Sequence, residues 1–136
     1  MDAQDASRRT VDELLAQARA RIHRRTPDEA HRSGAQIIDI RGSAQRGRDG
    51  EIPGALCFER NVLEWRVDPA SDARDPRVAG LDDEILVICH EGYQSSLAAA
   101  VLRELGFARA GDVDGGFSAW RAAGLPTTPS TDDRPS

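Results

Sequence analysis

The sequence predicts an α/β domain built on a mainly parallel sheet, and three observations carry that prediction. Short apolar runs such as "AQIIDIR" and "EILVIC" read as strands buried on both faces. Segments with apolar residues at helical spacing stand between and around them. Stretches rich in Gly and Pro mark the changes from one to the other. Strands that alternate with helices are joined by crossovers, which run the strands in parallel and lay the helices over the sheet. At 136 residues the chain suits one domain with a substantial core.

The elements follow in order. "TVDELLAQARARIHRR" sets Val11, Leu14, Leu15, Ala18 and Ile22 on one stripe, with Thr10 as N-cap and Glu13 completing a capping box, so the spacing predicts a helix over residues 11–25. Pro27 ends it, and Asp28, Glu29 and Ala30 suit a short helical turn. The first buried strand closes near Ile40. "GSAQRGRDGEIPG", with its four glycines and charges, reads as a loop, and "ALCFE" as a short strand. Val62, Leu63 and Trp65 begin a short helix in an otherwise polar stretch broken by Pro69, Pro76 and Gly80. After "EILVIC", the segment "SSLAAAVLRELGF" puts Leu97, Val101, Leu102 and Leu105 on one helical face, with Gly106 as its stop. "AGDVDGG" reads as a strand ending at two glycines, and "FSAWRAAG" as a last helix closed by Gly124 and Pro126. The polar tail, residues 127–136, is expected to be disordered.

Composition excludes several function classes. Eighteen basic residues against twenty-three acidic ones leave a net charge of −5, and the basic residues are scattered, so nucleic acid is not an expected partner. No apolar run reaches membrane-spanning length, and "MDAQDASRR" lacks the apolar core of a secretory signal. A cytoplasmic protein with no membrane partner is expected. Two cysteines, Cys57 and Cys89, are too few for a disulfide scaffold and have no His or Cys at zinc-site spacing. No metal site is expected.

Cys89 ends the most apolar strand and is followed by "HEGYQ" and then a helix. In an open α/β sheet, ligands bind at such strand ends. Backbone N–H groups of the loop and first helical turn can converge on the sulfur and, with the helix dipole, favour a thiolate. Gly92 lets the backbone curl. Spacing alone leaves two readings of Cys89: a reactive nucleophile, or a small apolar residue packed at a strand end.

Four motifs bear on that choice. "IIDIR", "GEIPGA", "CHEGYQSS" and "VDGGFSAWRAAGLP" occur in the order and at the intervals found in the rhodanese-like family, which the chain resembles over residues 35–126. The resemblance implies a rhodanese-like fold, with a five-stranded sheet flanked by helices on both faces, preceded by an N-terminal helical extension over residues 1–34. It implies a sulfurtransferase that moves sulfane sulfur from thiosulfate or a persulfide to a thiol or cyanide through a persulfide on Cys89, with no cofactor. The backbone from His90, Glu91, Gly92, Tyr93 and Gln94 to Ser95 would cradle that persulfide. The expected partners are a small sulfur-containing substrate and a thiol acceptor, with a protein partner as an alternative. A second function class is a low-turnover sulfur carrier or redox-sensing module.

The sequence also departs from the family pattern. Glu91 sets a negative charge beside an anion site and Gln94 offers no cation, so thiosulfate, a dianion, is disfavoured as donor. Family phosphatases carry a longer loop ending in Arg, which this chain lacks. Arg41 and Arg60 are candidates to supply the missing charge, Arg66 a weaker one, and Arg41 also suits an ion pair with Asp39. Glu51 stands where the family motif usually has His. Tyr93 suits a pocket wall or a partner contact. Cys57 reads as a packing residue, and Trp65 and Trp120 as core or core-edge residues.

Overall fold

The computed structural model describes residues 8–130. Helix α1, Val11–Ala20, begins as the sequence reads: Thr10 Oγ1 accepts the Glu13 N–H and the Glu13 carboxylate accepts the Thr10 N–H. It stops ten residues in, at Arg21, not at residue 25. His23–Arg25 form strand β1, which pairs in parallel with β5, Arg109–Val113. The charged "HRR" conceals this strand, because no apolar alternation marks it. Its side chains are matched by carboxylates instead, Arg24 with Asp112 and Arg25 with Glu84. A Cβ at position 111 would fall on the His23 carbonyl, so glycine there lets the β1 backbone come close. Residues 23–25 therefore complete the sheet rather than extend a helix.

Helix α2, Pro27–Ser33, has its own capping box from Thr26 and Glu29 and ends at Gly34. Strand β2, Gln36–Asp39, follows. The expected loop after it contains helix α3, Ser43–Asp49, a correction to the sequence reading. Gly47 and three charged residues hide this helix from a propensity argument. Tertiary contacts hold it: Arg46 is buried and pairs with Glu51, while Arg41 donates to the Gly50 carbonyl beyond its end. Strand β3, Leu56–Cys57, is followed by a 3₁₀ turn at Arg60–Val62, helix α4 at Leu63–Val67 and a long connection tied down by Asp75 with Arg66 and Arg77. Strand β4, Glu84–Ile88, helix α5, Gln94–Glu104, strand β5 and helix α6, Gly116–Ala122, complete the fold.

The five strands are all parallel in the order β1-β5-β4-β2-β3. Alternation along β4 divides the core. Ile85 and Val87 pack with Leu63, Val67, Ala98, Ala99 and Leu102 on one face; Leu86 and Ile88 pack with Ala30, Phe117 and Trp120 on the other. Each fully buried aliphatic side chain contributes about 1.5–3 kcal/mol. On α5 the small residues Ser95, Ala98 and Ala99, with Leu102, meet the sheet, whereas Leu97 and Val101 are only half-buried. That face differs from the stripe expected from Leu97, Val101, Leu102 and Leu105, because small side chains let α5 sit low on the sheet while α1 covers its flank. Trp120 is buried and Trp65 is exposed. Of the tail expected to be disordered, Thr128 pairs with Glu51 in an antiparallel bridge, and residues 131–136 lie outside the described residues.

From β2 the chain runs outward to β3, and from β4 it runs to β5 on the opposite side. The carboxyl ends of β2 and β4 therefore flank a crevice where the winding reverses, the place such sheets bind ligands.

Candidate active site

Cys89 leaves β4 at this crevice, and Arg41 leaves β2 beside it. Both line a cavity of about 410 Å³ together with Ile40, Gln45, His90, Glu91, Tyr93 and Gln94. Cys89 is 8% exposed, and its Sγ accepts the Gly92 N–H at 3.2 Å and the Ser95 N–H at 3.3 Å. The second donor belongs to the first turn of α5, so the sulfur sits at the positive end of that helix.

The loop takes this shape because α6 pulls on it. The Phe117 N–H donates to the Cys89 carbonyl at 2.8 Å and the Ser118 N–H to the His90 carbonyl at 3.0 Å. Every peptide bond among the described residues is trans, so a carbonyl and the following N–H point opposite ways. With those two carbonyls drawn toward α6, the N–H groups of His90 and Glu91 point away from it. Glycine is required where the segments touch. A Cβ on Gly92, at φ +89°, would lie 2.8 Å from the Gly115 nitrogen, and one on Gly116, at φ +62°, 2.5 Å from the Cys89 carbonyl oxygen. The "DGG" of one motif thus fits against the loop of another.

The charges divide unevenly. Arg41 is fully buried and held mainly by Asp39: its Nη2 donates to Asp39 Oδ2 at 2.7 Å and to the Gly50 carbonyl at 2.8 Å, while its buried Nη1 has no partner among the described residues. Its guanidinium lies 3.8 Å over the Phe117 ring. Arg41 thus both holds Asp39 and borders the cavity, with its charge compensated. Arg60 is not brought to the cavity; it pairs with Glu64 at 2.9 Å. Arg66 pairs with Asp75. Glu91 and Tyr93 are exposed at the rim, and Ser95 is buried with its hydroxyl on Asp112 at 2.7 Å.

Cys57 opens onto a separate cavity with Glu51, Arg77 and Thr128. Burial, and then the charge of Asp39, pushes its thiol up to about 12. It is a protonated thiol, and its Sγ donates to Glu51 Oε1 at 3.5 Å.

Four residues around the loop escaped the sequence reading. Gln45 reaches the cavity from α3, the helix that reading missed. Arg19, Arg24 and Asp112 meet behind the loop, where Arg19 and Arg24 both donate to the Gly92 carbonyl. Burial works against the Arg24 cation, but Asp112 and Asp114 outweigh it and raise its pKa. The one signal in the sequence was a carboxylate, Asp112, inside a short apolar strand.

A family model described as "Rhodanese-like domain" matches residues 17–123. The chain belongs to the rhodanese-like domain family. Among curated members, it is 42% identical over 89 residues to the thiosulfate sulfurtransferase GlpE of Pseudomonas putida strain GB-1, covering 65% of this chain and 72% of that one. It is 33% identical over 98 residues to the GlpE of Stutzerimonas stutzeri strain A1501, covering 70% and 81%. Among solved structures, a Rhodopseudomonas palustris protein of unknown function, described as a possible tyrosine phosphatase, superposes with a TM-score of 0.81 at 34% identity over 88% of this chain and 94% of that one. The polysulfide-sulfur transferase of Wolinella succinogenes shares the rhodanese fold, with a TM-score of 0.69 at 20% identity over 98% and 95% of the chains. Among the described residues, no helix is long and apolar enough to cross a membrane.

Proposed function

We propose that this rhodanese-like protein is a sulfurtransferase with Cys89 as its nucleophile. The observation that carries the reading is the convergence of the Gly92 and Ser95 N–H groups on the Cys89 sulfur at the mouth of a cavity. Two N–H donors and a helix N-terminus stabilise a thiolate, and the same donors serve a persulfide anion. The thiolate attacks the outer sulfur of a sulfane donor. The donor's S–S bond breaks, and the leaving group, sulfite from thiosulfate or a thiolate from an organic persulfide, departs with the electron pair. A thiolate or cyanide then attacks the terminal sulfur of the Cys89 persulfide, and breaking that S–S bond restores the thiolate. No net oxidant is consumed.

The curated relatives are named for thiosulfate, yet Glu91 at the rim repels a dianion and the charge of Arg41 is compensated by Asp39. An organic persulfide is the donor this cavity favours. Tyr93, 60% exposed at the rim, favours a thiol acceptor carried on a protein, and the cytoplasm is the proposed compartment. The phosphatase description of the Rhodopseudomonas protein does not fit this chain's loop, which runs in four residues from Cys89 to α5, contains no Arg and carries Glu91.

Incubation with thiosulfate, or with glutathione persulfide, followed by intact-mass measurement, adds one sulfur to the wild type and none to Cys89→Ala. A wild type left unmodified by both donors overturns the proposal.

A further inference from the structure

Behind the cysteine loop lies a buried polar cluster, none of whose residues lines the cavity. Its centre is Asp112, fully buried on β5. One carboxylate oxygen accepts the hydroxyls of Ser95 at 2.7 Å and Ser96 at 2.8 Å, and the other accepts Arg24 Nε at 2.9 Å. Arg24 Nη2 donates onward to the Gly92 carbonyl at 3.1 Å. From α1, Arg19 reaches the same carbonyl at 2.8 Å and the Ser96 hydroxyl at 3.1 Å, and its guanidinium lies 5.7 Å from the Tyr93 ring centroid. Among the described residues Arg19 pairs with no carboxylate, whereas Arg24 also meets Asp114.

These contacts act on the two groups that hold the sulfur. Ser95 gives its N–H to Sγ while Asp112 fixes its side chain. Gly92 gives its N–H to Sγ while two guanidinium groups hold its carbonyl. A largely buried hydrogen-bonded network of this kind, centred on a fully buried carboxylate, sets one geometry for the loop.

We propose that Arg19 and Arg24, contributed by α1 and β1, are positioning residues for Cys89, acting through the Gly92 carbonyl and the Asp112 carboxylate. The cation that the loop lacks is supplied from behind it, by a segment that precedes the motifs of the family. The inference rests on Cys89 being the nucleophile, and deepens that reading.

The test is the rate of iodoacetamide alkylation of Cys89 in the full-length protein, read by intact mass and peptide mapping from pH 6 to 9. The variants are Arg19→Ala, Arg24→Ala, Arg24→Lys and Ser96→Ala, with Arg21→Ala, which removes only an exposed pair with Glu104, as control. Groups facing the sulfur from the cavity side, Arg41, His90, Glu91 and Tyr93, are unchanged in all of them. At pH 7, Arg19→Ala and Arg24→Ala slow alkylation about three- to tenfold. The loss shrinks toward pH 9, as a lost thiolate requires and blocked access does not. Arg24→Lys recovers part of the rate, Arg21→Ala matches wild type, and sulfur transfer loses kcat with KM little changed. Ser96→Ala, which leaves the Arg24–Asp112 pair intact, provides the same reading should Arg24→Ala fail to fold. Wild-type alkylation profiles in folded Arg19→Ala and Ser96→Ala overturn the proposal. Alkylation needs no sulfur donor, so a wild type that takes up no sulfur would refute the sulfurtransferase reading and leave this result standing.

Discussion

Replacing Gly116 by alanine strikes the joint between α6 and the cysteine loop. The glycine sits at φ +62°, and an added Cβ would meet the Cys89 carbonyl oxygen at 2.5 Å and the His90 carbonyl carbon at 2.7 Å. These are backbone atoms, so no side chain can swing aside. An L-residue in this conformation costs about 1–2 kcal/mol. Separating the segments also loses the Phe117 and Ser118 hydrogen bonds, about 1 kcal/mol each. The sum is about 3–4 kcal/mol, and at about 4 °C per kcal/mol for a chain of this size Tm falls by about 12–16 °C. Gly124→Ala is the matched control, with φ +74° and open space around the added carbon. It carries the conformational cost alone, about 4–8 °C. Sulfur loading of Cys89, followed by intact mass, slows about a hundredfold in Gly116→Ala, since the amides no longer meet the sulfur, and stays at the wild-type rate in Gly124→Ala. Melting temperatures within about 3 °C of each other would refute the argument that this contact shapes the loop.

Other outcomes follow from the same structure. Arg41→Ala leaves Asp39 buried without its cation and lowers stability by about 3–5 kcal/mol in denaturant unfolding. A loss below about 1 kcal/mol would mean the pair is replaceable. Because the Cys57 thiol is pushed up to about 12, native protein treated with iodoacetamide at pH 8 takes a single label, on Cys89, and a second label on Cys57 would contradict its raised pKa. Hydrogen bonds from Arg77 hold the Asp75 carboxyl well below the usual carboxylate range, so its contribution is present at neutral pH and lost as pH falls below about 4. Asp75→Asn therefore melts below wild type at pH 7, and the gap closes in acid; a gap independent of pH would assign the effect to packing.

Much of this protein is written in local sequence. The apolar runs at residues 35–40 and 84–89 specify strands because burial on both faces leaves no polar alternation, and capping boxes fix the starts of α1 and α2. The cysteine loop is equally legible, since a strand end, a cysteine, a glycine and a helix start stand within a few residues of each other. Strand β1 and helix α3 were not legible. Each is short and charged; β1 is held by distant carboxylates, Asp112 and Glu84, and α3 by the Arg46–Glu51 pair just beyond its end, which no apolar pattern announces. The site divides along the same line. Sequence determines that Cys89 meets backbone amides, because those amides lie within six residues of it. Only the tertiary structure decides which cations stand near it. Arg60 turns to Glu64, Arg41 is taken up by Asp39, and Arg19 and Arg24, more than sixty residues away in the chain, close on the Gly92 carbonyl. Hydrogen bonds along the backbone follow from neighbours in sequence, whereas the placement of charge follows from how the strands are ordered in the sheet.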